Sequence, residues 1–261
     1  MLRLKSFAGL LKKEWVLYRS WFLVAVFTGI MLTWIVPYVL HQFVDIFAHA
    51  HQLAFAFTLI VLFVGGFYSI WQFLASVRLD IKARESWLHS TSSITKLVGA
   101  KMVCSLIGYS LFNTIFVSIA IFNIKEELIA NIGQILFVLV LIVIVLTLFQ
   151  LMLFILLLFF LAFYLQMKHV IGRFSIVLTM LAFYLTSTAW VHITESSLYQ
   201  TIFQHGAIPL RKIEPFLPQL KVSTMEWKLG SLYAVEEIAF TLLMVVLFIV
   251  ASRWLEKVVL R

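Results

Sequence analysis

Six long apolar stretches run along the chain, with polar or basic segments between them. A helix needs about 20 apolar residues to cross roughly 30 Å of hydrocarbon, and each stretch has about that length or more. The stretches are 21–40, 53–77, 102–122, 133–165, 174–193 and 233–252. The fourth is longer than a perpendicular crossing requires, so we expect it to tilt or to project from the bilayer. The pattern predicts an all-α integral membrane protein with six transmembrane helices in a single transmembrane domain over 1–261.

Residues 1–20 combine apolar and basic positions with a helical period. The apolar positions fall on one stripe by the i, i+3, i+4 rule, and they are Leu4, Phe7, Leu11, Trp15 and Tyr18. The basic positions lie around the other side, and they are Arg3, Lys5, Lys12, Lys13 and Arg19. A basic amphipathic helix of this kind lies in the membrane surface. We therefore predict a separate surface helix over 1–20, before the first span.

Composition excludes a separate soluble enzyme domain. The 261-residue chain is 63% hydrophobic and 12% charged, with a mean hydropathy of +1.04, whereas a soluble domain is roughly half apolar and a quarter charged. Spans and short connections use almost every residue. The formal charge of +8 does not indicate a nucleic-acid partner, because the basic residues lie at the ends of spans. The single cysteine, Cys104, excludes an intrachain disulfide.

The distribution of charge predicts the orientation, since basic residues are enriched on the cytoplasmic side. With both termini inside, the inner segments hold 15 basic and 4 acidic residues, and the outer segments hold 5 basic and 8 acidic ones. The net charges are then +11 inside and −3 outside. We therefore expect a multi-pass protein of the plasma membrane, in a bacterial cell, with both termini in the cytoplasm.

Two connections between spans are longer and more distinctive than the others. The cytoplasmic connection 78–101 is basic and rich in hydroxyl side chains. Two interpretations are open for it, a docking element for a cytosolic partner and an ordinary solvated loop. The extracellular connection 194–231 is the longest non-spanning segment, and it holds three of the four prolines.

The sequence lacks a nucleotide site of its own. A chain that hydrolysed ATP would need a phosphate-cradling GxxxxGK[ST] loop. The nearest string, at 99–102, lacks both the first glycine and the hydroxyl residue. If ATP drives this protein, we expect another chain to bind the ATP and the Mg²⁺, and we expect no cofactor on this one.

Few polar residues lie within the spans. Asn113 in the third span and Gln150 in the fourth are candidates for a substrate pathway, although such residues equally serve helix packing. No charged residue lies near a predicted midplane, which argues against a proton relay, a voltage sensor or an ion-coupled carrier. The 25 phenylalanines would suit a hydrophobic or amphipathic substrate better than a sugar or an ion.

Two weaker constellations point to other chemistry. The pair Glu236 and Glu237 opens the sixth span and resembles the Glu-Glu pair of CAAX-type intramembrane proteases, but Thr241 occupies the position of their arginine. His41, Asp45 and His49 would share one helical face and could bind a metal. They lie in a short outer connection that we interpret as a solvated loop, so we assign no metal site.

The layout resembles the six-span permease subunits of type 2 ATP-binding-cassette exporters. Three features carry the resemblance: the basic start with Lys12, Lys13, Glu14 and Trp15, the string ESWLHSTSSITKLVGAK between the second and third spans, and the long outer segment before the last span. The resemblance covers the whole chain as an arrangement. It implies an elbow helix at the start, a coupling helix between the second and third spans, and an outer segment that enters the membrane again.

The resemblance also implies roles for individual residues. The docking residues for an ATPase subunit would be Glu85, Ser86, Trp87, Leu88, His89, Ser90, Thr91, Ser92, Ser93 and Thr95, with 91–95 as the turn. Many members of the family have a Leu-Pro pair before that turn, where this chain has His89, Ser90 and Thr91. Trp87 and Leu88 would fill a cleft of the ATPase, and the flanking charges would orient the contact.

These observations lead to one expected function and one alternative from another class. The expected function is a permease subunit that pairs with a second permease, a copy of itself, and with two cytosolic ATPase subunits. It would export a peptide, an antimicrobial or a lipid-like compound by alternating access. The alternative is a non-enzymatic receptor or immunity protein that binds its ligand through 194–231.

Overall fold

The computed structural model describes residues 2–43, 50–82, 93–126, 128–220 and 230–259. Helices account for most of this part of the chain. They are α1 (Leu2–Ile30), α2 (Val36–His41), α3 (Ala50–Lys82), α4 (Ile94–Asn123), α5 (Ile132–Ile171), α6 (Ser175–Glu195), α7 (Ser197–Phe203) and α8 (Ala234–Val259). Short strands are β1 (Leu128–Ile129), β2 (Ala207–Pro209), β3 (Gln219–Leu220) and β4 (Ser231–Tyr233). The prediction of a helical membrane protein is confirmed, and the strands were not predicted.

Five helical runs among the described residues are long and apolar enough to cross a membrane. One run, Ile132–Glu195, has 64 residues, and a straight helix of that length would be about 96 Å long. It contains α5, a 3₁₀ turn over Gly172–Phe174, and α6. Gly172 has a φ of +64°, a left-handed conformation that commonly ends a helix.

The chain reverses direction at this turn. The rings of Phe160 and Phe183 lie 5.2 Å apart between centroids, whereas 23 residues of straight helix would separate them by about 35 Å. The two residues are almost equally distant from Gly172 along the chain. Consequently α6 folds back on the second half of α5.

The structure corrects two predicted boundaries. The separate helix over 1–20 is wrong, because α1 continues from Leu2 to Ile30 without a break. Nothing around residue 20 would break a helix, since a sharp kink needs a proline, a glycine pair or an inserted turn. The predicted cytoplasmic loop 78–101 is also too long, because α3 continues to Lys82 and α4 begins at Ile94.

A short π-helix over Met31–Ile35 joins α1 to α2. Pro37 lies at the start of α2, and a proline leaves an earlier carbonyl without its usual backbone donor. The backbone N–H of Val36 donates to the carbonyl of Met31, five residues earlier, as in a π-helix. This widened turn accommodates the proline, and the helical path continues from residue 2 to residue 41.

The chain divides into two compact units, which we describe separately. Unit 1 is Met1–Asp80, Lys96–Leu151 and Pro215–Trp227. Unit 2 is Ile81–Thr95, Met152–Glu214 and Lys228–Arg261. The single transmembrane domain over 1–261 stays a prediction.

In unit 1, α1 and α4 run in the same direction and α3 runs against them. Glu14 contacts Lys101 near the start of the unit, and Gly29 faces Phe116 further along. On α3 the order is reversed, since Ser76 contacts Lys101 and Gly65 faces Phe112. A cluster of buried side chains on α3 and α4, formed by Val61, Phe112 and Phe116, occupies the middle of the unit.

Glycines let aromatic rings rest directly on the helix backbones of unit 1. A Cβ atom at Gly108 would overlap the ring of Tyr18, and one at Gly65 would overlap the ring of Phe112. Small residues serve helix contacts in membranes in this way, because they let side chains and backbones approach closely. The three helices therefore pack against one another at defined positions, where a glycine of one helix receives an aromatic ring of another.

Unit 2 is held by aromatic contacts near the end of α8. The Trp254 ring lies edge-on to Phe159, with centroids 5.4 Å apart, and also packs on Phe163 at 6.1 Å. The Trp254 indole N–H donates to the side-chain oxygen of Gln166. The half-buried Trp254 thus combines a large apolar contact with a satisfied polar atom.

The four short strands lie in the connections between helices and pair in two antiparallel sheets. In unit 1, β1 pairs antiparallel with β3, and Leu128 lies opposite Leu220. In unit 2, β2 pairs antiparallel with β4, and Ile208 lies opposite Leu232. Their backbone hydrogen bonds give part of the predicted loop 194–231 a defined structure.

Candidate functional site

Four side chains from three helices of unit 1 meet in a buried charge cluster, which consists of Glu14, Ser76, Asp80 and Lys101. The Lys101 ammonium group donates to both Glu14 carboxylate oxygens, at 3.0 and 2.9 Å, and to the Ser76 hydroxyl at 2.7 Å. An Asp80 carboxylate oxygen lies 3.1 Å from the same nitrogen. The Ser76 hydroxyl also donates to Glu14 at 3.5 Å. The cluster thus ties α1, α3 and α4 together.

The cluster is largely shielded from solvent. The side chains of Lys101 and Glu14 are 4% and 7% exposed, and that of Asp80 is 22% exposed. Charges are stable in such a place only when they are paired and hydrogen-bonded. Two carboxylates face one ammonium group, so the cluster carries a formal charge of −1. Removal of the ammonium group would leave two like charges close together.

The position of the cluster relates it to the connection between α3 and α4. Asp80 lies two residues before the end of α3, and Lys101 lies in the second turn of α4. Both helices are therefore fixed to α1 close to the points where the connection leaves them.

A cavity of about 260 Å³ lies further along the same three helices. Tyr18 lines it one helical turn after Glu14, and Ser69 and Tyr109 line it two turns from Ser76 and Lys101. The other lining side chains are almost all apolar, and Ala25, Val61 and Phe112 are among them. Unit 1 therefore places an apolar cavity beside a buried charged contact.

The structure places the two predicted pathway residues inside unit 1. Gln150 is 1% exposed, and its side-chain amide donates to the carbonyl of Gly66 at 3.2 Å. Asn113 is fully buried, and its side-chain amide lies beside the hydroxyl of Tyr109, one helical turn earlier. Gln150 therefore makes a helix contact between α5 and α3. A pathway role for either residue stays a prediction.

Most of the predicted docking residues cannot be placed. Residues 85–92 lie outside the described part of the chain. Ser93 is exposed and directly precedes α4, whereas Thr95 is half-buried and is the second residue of that helix. The assignment of 91–95 as a turn is therefore wrong for Thr95, because helical hydrogen bonding begins earlier than the apolar stretch.

The predicted elbow residues divide between two environments. Lys12 and Lys13 are exposed, as the amphipathic pattern indicates. Trp15 is half-buried and stacks on Tyr18, with ring centroids 5.9 Å apart. Glu14 is buried in the charge cluster. These residues belong to one continuous helix, α1, so their assignment to a separate elbow helix is corrected.

The glutamate pair of unit 2 lies in the first turn of α8. Glu236 accepts a hydrogen bond from the Tyr199 hydroxyl at 2.9 Å, and Glu237 is exposed. Burial raises the pKa of Tyr199, and the hydrogen bond to Glu236 and the negative charges of both glutamates add to the effect. The contact joins α7 to α8, and the protease alternative stays untested.

The loss of the Tyr199 hydroxyl is expected to loosen α7. Because the Tyr199 pKa is raised, the hydrogen bond contributes at pH values below the ordinary tyrosine pKa and is lost as the pH rises through the folded-state pKa. Tyr199→Phe should therefore increase proteolysis within 197–209 at neutral pH and abolish any alkaline step in that cleavage. Tyr233→Phe is the control on the neighbouring strand. Equal cleavage of Tyr199→Phe and the unmodified protein would contradict this role.

Sequence reasoning missed the charge cluster as a unit. Its members lie up to 87 residues apart along the chain. One signal was present, because Glu14 is an acid within a basic segment, and Asp80 and Lys101 flank the spans on the same predicted side. Opposite charges at one level of three helices could have suggested a contact. The pairing itself depends on which helices are neighbours.

Comparison of the chain with protein-family models, with curated proteins and with solved structures gave no match.

Proposed function

We propose that this chain is the permease subunit of an ATP-driven exporter. A separate cytosolic ATPase would supply the energy, and the connection between α3 and α4 would receive it. The single observation that carries the proposal is the buried charge cluster, because it fixes both helices of that connection to α1. ATP-driven movement of the connection would then displace α1, α3 and α4 as one body and change access to the substrate.

Six crossings with both termini in the cytoplasm agree with this proposal. The run Ile132–Glu195 would provide two of them, one on each side of the reversal at Gly172. The inner ends of α3 and α4 and the start of α1 would then lie on the basic side predicted from the charges. The charge cluster would lie at the cytoplasmic edge of the bilayer, within reach of an ATPase.

The partners follow from what the chain itself provides. The sequence lacks a GxxxxGK[ST] loop, so ATP and Mg²⁺ would bind to two copies of an ATPase subunit. A second permease, a copy of this chain, would complete the transporter in the plasma membrane. The apolar cavity of unit 1 favours a hydrophobic or amphipathic substrate, such as an apolar peptide or a lipid-like compound.

Loss of the predicted apolar contact made by Trp87 and Leu88 should prevent the ATPase subunit from binding. Trp87→Ala combined with Leu88→Ala is expected to abolish copurification of the ATPase subunit, because buried aromatic anchors contribute about 2 kcal/mol or more to such interfaces. The measurement is a pull-down of the tagged full chain from its own membranes. Mass spectrometry would identify any partner with a nucleotide loop, and an assay would record the ATPase activity of the eluate.

The matched control is Trp34→Ala combined with Ile35→Ala, which removes an exposed apolar pair at the other end of the first helical run. This variant should retain the partner. If both double variants bound the ATPase equally, the docking assignment would be wrong. If the unmodified chain brought down no nucleotide-binding protein, the exporter proposal would fail.

A further inference from the structure

The cavity of unit 1 contains a buried polar atom that the fold leaves unused. Ser69 is 3% exposed, and within the described residues its hydroxyl has no hydrogen-bond partner. Hydroxyl side chains in membrane helices usually donate to a carbonyl one turn earlier. Thr58 does so on the same helix, with a 2.7 Å bond to the carbonyl of Ala54. Ser69 instead lines the cavity.

An unpartnered hydroxyl in an apolar interior is unfavourable, at a cost of about 1–3 kcal/mol. The remaining cavity wall does not remove this cost. The neighbouring Tyr68 hydroxyl already donates to the carbonyl of Trp21 at 3.3 Å. The other hydroxyl groups of the wall, on Tyr18, Thr28 and Tyr109, do not hydrogen-bond to Ser69. An occupant with its own hydrogen-bonding atom would satisfy Ser69.

The size of the cavity limits the occupant. A volume of about 260 Å³ holds roughly eight groups the size of a water molecule, at about 30 Å³ each. A methylene group is of similar size, so one unbranched alkyl chain of about that many carbons would fit. A sterol or a folded peptide would be too large.

The cavity is open on one side, at the surface of unit 1. Trp21, Val24 and Val64 line it, and their side chains are 62%, 60% and 55% exposed. These residues lie within two of the candidate membrane spans. A molecule dissolved in the bilayer could therefore enter between α1 and α3 without crossing water.

We propose that this cavity binds the alkyl chain of a single-tailed amphiphile and that Ser69 hydrogen-bonds to a hydroxyl or carbonyl group on that chain. Apolar contact alone would not select the ligand, because lipid tails are as apolar as the cavity wall. The hydrogen bond at Ser69 provides the selectivity. Binding at this site stands without any transport, whereas its role as the site for exported cargo rests on the proposed function.

Photolabelling tests the site directly. The purified full chain in phospholipid nanodiscs is labelled with a diazirine derivative of octan-1-ol and, separately, with the matching derivative of octane. We expect saturable labelling of lining residues on α1, α3 and α4, with the alcohol favoured over the alkane. Ser69→Ala should lower that preference by about threefold to tenfold, the worth of one hydrogen bond in this setting. Ser110→Ala, on α4 and away from the lining, should leave it unchanged.

A second variant tests the cavity without changing Ser69. Ala25→Phe should fill the cavity and reduce labelling by both probes, whereas Ala8→Phe makes the same change at an exposed position of α1. The thermal midpoint of each variant verifies folding. If the preference for the alcohol survived Ser69→Ala, or if labelling were unsaturable and spread over the lipid-facing surface, the site would be wrong.

The outcomes separate this site from the exporter proposal. Specific labelling of a chain that brings down no ATPase would retain the site and reject the exporter. A copurifying ATPase together with equal labelling by both probes in all variants would reject the site alone.

Discussion

Lys101→Met is expected to destabilise the folded protein by about 3–5 kcal/mol, the usual cost of removing one partner of a buried ion pair. The ammonium group of Lys101 contacts both carboxylates and the Ser76 hydroxyl of the charge cluster. Without it, Glu14 and Asp80 would face each other with no cation between them. Thermal unfolding of the protein in detergent or nanodiscs would measure the loss.

Two further variants make this prediction specific. Lys96→Met removes an exposed lysine from the same helix and should change the midpoint little, because exposed charges contribute at most about 1 kcal/mol. Glu14→Gln and Asp80→Asn added to Lys101→Met should restore most of the stability, since no buried charge then remains. A triple variant as unstable as Lys101→Met alone would contradict the electrostatic explanation.

The restored triple variant also separates stability from coupling. It would be folded, but it would lack the ionic contact that joins the α3–α4 connection to α1. Under the proposed function we expect it to bind the ATPase and to transport less per ATP hydrolysed. If the triple variant transported as much substrate per ATP hydrolysed as the unmodified protein, the cluster would be needed only for folding.

Gly108→Ala is expected to destabilise unit 1, although alanine is the better helix former. The new Cβ atom would overlap the ring of Tyr18. Tyr18 is 9% exposed and its ring stacks between Trp15 and Phe22, so the ring has little room to move. Overpacking of this kind costs about 1–3 kcal/mol, which outweighs the gain of about 1 kcal/mol in helix propensity.

The control for this prediction is the same substitution at Gly9. A Cβ atom there would meet nothing within 4 Å, so Gly9→Ala should raise the thermal midpoint slightly through helix propensity. The two variants should therefore shift the midpoint in opposite directions. A shift of Gly108→Ala in the same direction as Gly9→Ala would show that Tyr18 can move aside.

Periodicity and hydropathy predicted the helices better than their ends. Five of the six predicted spans lie within an observed helical run, and the sixth begins one residue early, at Tyr233 of β4. However, α3 and α4 extend beyond the apolar stretches, to Lys82 and from Ile94. Hydropathy detects where lipid replaces water, whereas helical hydrogen bonding continues past that level. Charged residues such as lysine are good helix formers, so the apolar boundary did not mark the end of the helix.

The faces of α1 were predicted more successfully than its extent. Lys12 and Lys13 are exposed and Tyr18 is buried, as the amphipathic stripe indicates. The stripe could not show whether the segment lies on the membrane or continues into it. In the structure α1 continues to Ile30, and its Glu14 contacts Lys101 of α4.

The sequence by itself determined the class of this protein, the positions of its helices and the residues able to carry charge or hydrogen bonds. The tertiary structure alone decided that Glu14, Asp80 and Lys101 share one site, that Gly108 receives the ring of Tyr18, and that Ser69 faces a cavity. The physical reason is that lipid and helix interior are equally apolar. A hydrophobic pattern therefore identifies a membrane helix but not the helices that pack against it. Those are determined by close packing and by buried charge.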